Sequence, residues 1–156
     1  MIIVLICFFI FKKEKFALGM VLNLGVGAVL CFIIKNIVKR PRPPLSEMIV
    51  LQEGYSFPSA HTVNNVILYG FGIYLIYKNV KNKKIRNLLC VIFTIIPVLI
   101  GISRIYLRVH YPSDVVAGFA IGISFVIIFV NIIYPEIIKK DTGKNKNNKI
   151  KTNTKD

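Results

Sequence analysis

The chain has 156 residues, 54% of them hydrophobic, a mean hydropathy of +0.62 and a formal charge of +14. Soluble domains sit nearer roughly 45–50% apolar. Here the apolar residues gather in long uncharged blocks, which excludes an ordinary soluble globule and points to an integral membrane protein.

In chain order, residues 1–11 form an apolar run too short to span a bilayer. It lacks the basic start and small-residue cleavage site of a signal peptide, so a truncated first helix, or the tail of a longer one, is expected. Residues 16–34 carry no charge and predict the first full span. "KRPRPP" follows, and three prolines within four residues stop the helix and stiffen an extended exit. "LSEMIVLQEG" then predicts a short helix on the membrane surface, with Ser46 near its start and Gly54 after its end. Residues 55–77 predict a second span with His61 at its edge. Residues 85–103 predict a third, with Arg86 snorkelling, and residues 115–134 a fourth. In that last helix Gly118 and Gly122 are spaced to let a neighbouring helix of the bundle approach closely. Cys7, Cys31 and Cys90 all fall inside apolar runs without metal-ligand spacing and read as small buried hydrophobes. The expectation is an all-α integral membrane protein: a bundle of about four full transmembrane helices plus a short N-terminal apolar segment. The membrane domain would cover residues 1–138. The polar tail "KKDTGKNKNNKIKTNTKD", residues 139–156, would be a disordered basic appendage.

The charge distribution argues against nucleic acid as a partner. Lys12, Lys13 and Lys15, then Lys78, Lys81, Lys83, Lys84 and Arg86, then seven lysines of the tail, all fall on one face once the spans are threaded. Fifteen of the 21 basic residues then lie on the cytoplasmic side by the positive-inside rule. Lys35, Lys39, Arg40, Arg42, Arg104 and Arg108 remain on the opposite, extracytoplasmic face, against the rule. A bound anion explains cations in that position.

Three segments supply the chemistry there: "KNIVKRPRP", "FPSAH" and "SRIYLRVHYPSD". Lys35, Arg42 and Arg104 together would neutralise a phosphoryl group. Ser59 stands where a helix begins, so its hydroxyl and nearby free N–H groups form an anion site. His110 precedes Asp114 by four residues. A carboxylate that accepts from one ring nitrogen leaves the other free as a nucleophile. His61 suits general-acid work on the leaving oxygen. Apart from Asp114, the outer face offers only Glu47 and Glu53, too few carboxylates for a two-metal site. The expectation is therefore no metal and no cofactor. Lys39, Arg40 and Arg108 read as cations at the membrane edge with no part in the site.

The three segments match K-x6-R-P through Lys35, Arg42 and Pro43, P-S-G-H through Pro58, Ser59 and His61, and S-R-x5-H-x3-D through Ser103, Arg104, His110 and Asp114. In this combination and order the chain resembles the type 2 phosphatidic acid phosphatase family, the membrane branch of a superfamily shared with vanadium haloperoxidases. The resemblance implies that His110 attacks phosphorus, Asp114 orients it, His61 protonates the leaving group, and Lys35, Arg42, Ser59 and Arg104 hold phosphate oxygens. It also implies a six-helix core, from which this chain departs by its short first segment, and a glycine where Ala60 stands. The implied activity is a lipid phosphate phosphatase working through a phosphohistidine. Polyprenyl diphosphate such as undecaprenyl diphosphate is the first choice of substrate, with phosphatidylglycerophosphate and phosphatidic acid as alternatives. The rivals from other classes are a catalytically inactive membrane binding protein and a vanadate-dependent haloperoxidase. Vanadate inhibits a phosphatase and activates a haloperoxidase.

Overall fold

The computed structural model of the chain describes residues 14–133. The expected N-terminal segment of residues 1–11 and the tail from residue 139 lie outside them. Four helices follow one another: α1 Glu14–Val38, α2 Ala60–Asn79, α3 Lys83–Tyr106 and α4 Pro112–Ile133. Among the described residues there is no strand. The chain divides after Val126 into two compact units; the packing and the site below belong wholly to the first.

Each helix boundary has a local cause. Lys35 lies in the last turn of α1, where the helix dipole favours a cation. Lys39 follows in the left-handed region, φ 49°, and its N–H bonds the Lys35 carbonyl at 2.9 Å, a left-handed C-terminal cap. Pro41 forbids continuation. Ser59 caps α2, its Oγ accepting from the Thr62 N–H at 3.5 Å and from the Thr62 hydroxyl at 3.0 Å. Asn82 caps α3 through bonds from the N–H groups of Lys84 and Ile85 at 3.0 and 3.3 Å. Arg108, φ 55°, closes α3 much as Lys39 closes α1.

α2 is the central helix. Val63, Ile67, Phe71 and Leu75, four residues apart, are fully buried. Its neighbours reach it through glycines. A Cβ on Gly118 would lie 2.9 Å from the Thr62 Cβ, and one on Gly122 would lie 2.7 Å from the Val66 Cβ. The small-residue spacing read from the sequence is thus the contact of α4 with α2. Gly72 of α2 receives the Phe93 ring of α3 in the same way. In hydrocarbon such close packing, not water exclusion, drives helix association.

α3 and α4 are the helices long and apolar enough to cross a membrane, and only 11% and 17% of their apolar windows are buried. A core helix of a soluble protein would be mostly buried, so these faces belong against lipid. α1 contributes a shorter apolar stretch, Leu24–Val38. α2 carries His61, Asn64 and Asn65 in its first two turns and is shielded by its neighbours. The described residues therefore show two span-grade helices of the four expected from the sequence. Cys31 is buried in the core and Cys90 is half-buried; Cys7 lies outside the described residues.

One expected element differs. The short surface helix of "LSEMIVLQEG" is a single 3-10 turn, Leu45–Glu47. The Ile49 N–H then bonds the Leu107 carbonyl at 3.2 Å, drawing the strand-like chain across the end of α3 before Gly54 turns it at φ 80°.

Candidate active site

The C-terminal ends of α1 and α3 and the N-terminal ends of α2 and α4 meet at one end of the bundle. Backbone bonds tie them: Ser56 N–H to Arg40 O at 2.9 Å, and Ser59 N–H to Asp114 O at 3.1 Å. These bonds bring the three sequence motifs together.

His110 and Asp114 are buried, Asp114 fully. The Asp114 carboxylate accepts the Tyr111 N–H on Oδ2 at 3.0 Å, and that oxygen lies 3.5 Å from His110 Nδ1. Nδ1 has no closer partner. The separation is longer than an ordinary N–H···O bond. Arg42 Nη1 stands 3.3 Å from His110 Nε2 and donates to the Val109 carbonyl at 2.7 Å. A guanidinium only donates. Nε2 therefore keeps its lone pair toward Arg42, and Nδ1 carries the proton toward Asp114. Burial, with the charges of Arg42 and Lys35, pushes the His110 pKa down to about 4, against the opposing pull of Asp114. At neutral pH the imidazole is uncharged.

The cations are held by main-chain oxygens. Lys35 Nζ donates to the Tyr55 carbonyl and, at 3.4 Å, to that of Ser56. Arg42 Nε donates to the carbonyls of Glu53 and Gly54 at 3.2 and 3.0 Å. Arg104, half-buried in the last turn of α3, places Nε 3.3 Å from the Ser103 hydroxyl. His61 is exposed on the first turn of α2, within electrostatic reach of Arg104, Arg42 and Lys35. These residues therefore cluster at one end of the bundle. Ser59 lies at the start of α2, fully buried, with its oxygen turned into the helix cap. Among the described residues no three of His, Cys, Asp and Glu gather as a metal site.

Arg40 is the residue that the sequence reading left at the membrane edge, and the structure corrects this. Its Nη1 bonds Asp114 Oδ1 at 2.8 Å and Ser113 Oγ at 2.7 Å, and its guanidinium carbon lies 4.2 Å from the Tyr111 ring centroid. A signal for it existed. Pro41 holds the chain extended, and side chains two apart in an extended chain share a side. Arg40 and Arg42 therefore both face residues 109–114, where the chain enters α4, and Lys39 is exposed.

Residues 16–138 match the model of the PAP2 superfamily. The chain is 34% identical over 116 residues to phosphatidylglycerophosphatase B of Bacillus subtilis, covering 74% of this chain and 57% of that protein. It is 30% identical over 139 residues to an undecaprenyl-diphosphatase of Sulfolobus acidocaldarius, covering 84% and 62%. Its structure superposes with a TM-score of 0.75, at 32% identity, on the crystal structure of a transmembrane PAP2-type phosphatidylglycerolphosphate phosphatase from Bacillus subtilis, covering 84% of this chain and 65% of that one. The chain thus spans less than two thirds of each of these relatives. With most of its length matched by the family model, the chain belongs to the PAP2 superfamily.

Proposed function

We propose that the protein is a membrane-embedded phosphatase that removes phosphate from a lipid phosphomonoester or diphosphate through a phosphohistidine. The observation that carries this is the placement of His110, with Nδ1 3.5 Å from the buried Asp114 carboxylate and Nε2 3.3 Å from Arg42; this favours a proton on Nδ1 and a lone pair on Nε2.

In the first step the Nε2 lone pair forms a bond to phosphorus as the P–O bond to the lipid breaks. The leaving oxygen takes a proton from His61 in its charged form. In the second step water attacks phosphorus and gives its proton to the now neutral His61. The P–N bond breaks, its electron pair returns to Nε2, and phosphate leaves. Lys35, Arg42 and Arg104 offset the charge on the equatorial oxygens, the task metal ions perform elsewhere. Asp114 holds the ring orientation and offsets the positive charge that grows on it during attack.

In this reading all four helices cross the bilayer, and the site lies on the extracytoplasmic face. The cations of the α2–α3 turn, Lys78, Lys81, Lys83 and Lys84, lie at the end of the bundle away from the site, which supports that orientation. An apolar groove of about 290 Å³ between α2, α3 and α4, lined by Val66, Gly70, Phe93, Pro97, Phe119 and Ile123, has room for part of a lipid chain.

The test is phosphate release in detergent with EDTA present, offering phosphatidylglycerophosphate, undecaprenyl diphosphate and phosphatidic acid. The first two are the substrates that the names of the relatives suggest. Release from at least one, inhibition by vanadate and loss of activity in His110→Ala are expected. No release from any of them by folded protein overturns the reading, and so does activity that survives in His110→Ala.

A further inference from the structure

The segment after the prolines exposes a run of aliphatic side chains. Leu45 is 65% exposed, Ile49 59%, Val50 52% and Leu51 76%. They belong to no core, and a water-facing loop has no use for four of them in seven residues. The loop is nevertheless held in place. The Ile49 N–H bonds Leu107 O beyond the end of α3, and Arg42 Nε bonds the carbonyls of Glu53 and Gly54 at its far end.

That anchorage sets the loop beside a surface already assigned to lipid. Leu99, Ile102 and Tyr106 climb the exposed face of α3, at 58%, 56% and 75% exposure. Leu107, which accepts from Ile49, is the next residue. The aliphatic run therefore continues the lipid-facing surface of α3 past the helix end. Tyr106 marks the depth at which aromatic side chains collect, between hydrocarbon and headgroups. The exposed cations Lys39 and Arg108 stand at the ends of α1 and α3, at the same end of the bundle. Long cationic side chains there reach headgroup phosphates.

We infer that residues 45–51 form an interfacial anchor, their aliphatic side chains seated in the lipid leaflet at the site's end of the bundle. Because Arg42 holds both this loop and His110, the anchor sets the catalytic pocket at headgroup depth, where a lipid phosphate lies. This functional consequence rests on the phosphatase reading; the insertion itself does not.

The chain contains no tryptophan, so single Val50→Trp and Leu51→Trp variants of the full chain in phosphatidylcholine vesicles report on the loop alone. An Ile95→Trp variant serves as the mid-helix reference. Lipids brominated near the headgroup should quench more than half the emission of the loop variants, lipids brominated near the bilayer centre should quench less, and aqueous iodide should have little effect. The Ile95 variant should show the reverse preference for bromine depth. Strong iodide quenching without bromine quenching places the loop in water and overturns the inference. Protection from both quenchers means protein, a second copy included, covers the loop and overturns it equally. A second arm uses activity: Leu51→Asp should raise KM for bilayer lipid about tenfold and leave hydrolysis of a water-soluble phosphomonoester unchanged. Equal losses on both substrates would remove the depth-setting role. Bromine quenching in a chain that hydrolyses nothing would keep the anchor and reject the phosphatase.

Discussion

Arg40 and Asp114 stand 2.8 Å apart across the junction of α1 and α4, with Asp114 fully buried and Arg40 about a third exposed. The pair leaves one carboxylate oxygen to Arg40 and turns the other toward His110. In the proposed mechanism Arg40 acts on His110 through Asp114, as a positioning residue. Arg40→Ala should cost about 2 kcal/mol of stability, less than the roughly 3–5 expected for a fully buried pair because one partner reaches solvent. Its second effect separates positioning from mere support. Freed of its counter-charge, Asp114 should stabilise the charged form of His110, and the acidic limb of kcat/KM should move up in pH. Arg40→Lys should restore much of that limb's position while losing the stacking on Tyr111. A stability loss with an unmoved pH profile would reduce Arg40 to scaffolding.

The His110 pKa of about 4 makes its own prediction. The ordinary imidazole value is about 6.5, so the unfolded chain binds a proton at His110 that the folded chain refuses. The stability from keeping His110 neutral is complete above pH 6.5 and is lost as pH falls from there toward 4. Thermal unfolding of the empty protein in detergent should show a midpoint falling through this window. His110→Gln, which cannot titrate, should flatten it. An identical slope in the variant would assign the dependence to other groups. With His110 as the proposed nucleophile, the activity of the wild-type protein should persist below pH 6, since its imidazole stays unprotonated there.

Helices and motif residues were legible because hydropathy blocks and motif spacing are local properties of the sequence. α1, α3 and α4 overrun their uncharged blocks by carrying Lys35, Arg104 and Asp114 inside terminal turns, where the helix dipole suits each sign. Arg40 was not legible by charge alone. "KR" at residues 39–40 presents two equivalent cations, and only backbone geometry divides them: Lys39 enters the left-handed region and Arg40 swings toward α4. Ser59 was placed correctly at a helix start, yet sequence could not say that its oxygen faces Thr62 and not the pocket. The surface helix failed because its register competes with one tertiary bond, Ile49 to Leu107. β-branched Ile49 and Val50 favour the extended form.

The glycines of the bundle divide by what surrounds them. A Cβ at Gly122 would meet the Val66 Cβ at 2.7 Å and the Val63 carbonyl at 3.2 Å, and one at Gly25 would meet nothing within 4 Å. Gly122→Ala should therefore force α4 off α2 and cost about 1–3 kcal/mol. Gly25→Ala should be neutral or stabilise α1 by about 0.5–1 kcal/mol through helix propensity. Unfolding midpoints in one detergent measure both. Equal effects would mean that α2 and α4 do not pack through this face.

His61 and His110 can be separated by the leaving group. In the proposed mechanism His110 forms the bond to phosphorus, so its loss should stop every substrate equally. In the same mechanism His61 delivers a proton to the departing oxygen, so its value would depend on how basic that oxygen becomes. For a lipid alcohol the developing alkoxide is strongly basic, and His61→Gln should lower turnover by about 10²–10⁴-fold. For a nitrophenyl ester the phenolate leaves unaided, and the first step should fall only slightly. The second step still needs a base to activate water. His61→Gln should then accumulate a phosphoprotein with a burst of nitrophenol, stable in alkali and labile in acid as a phosphoramidate is. The double variant with His110→Ala should show neither burst nor labelled protein. A His61→Gln variant that loses the two substrates equally, without trapped phosphoprotein, would take His61 out of proton transfer and leave the first-turn histidine of α2 as part of the phosphate pocket alone.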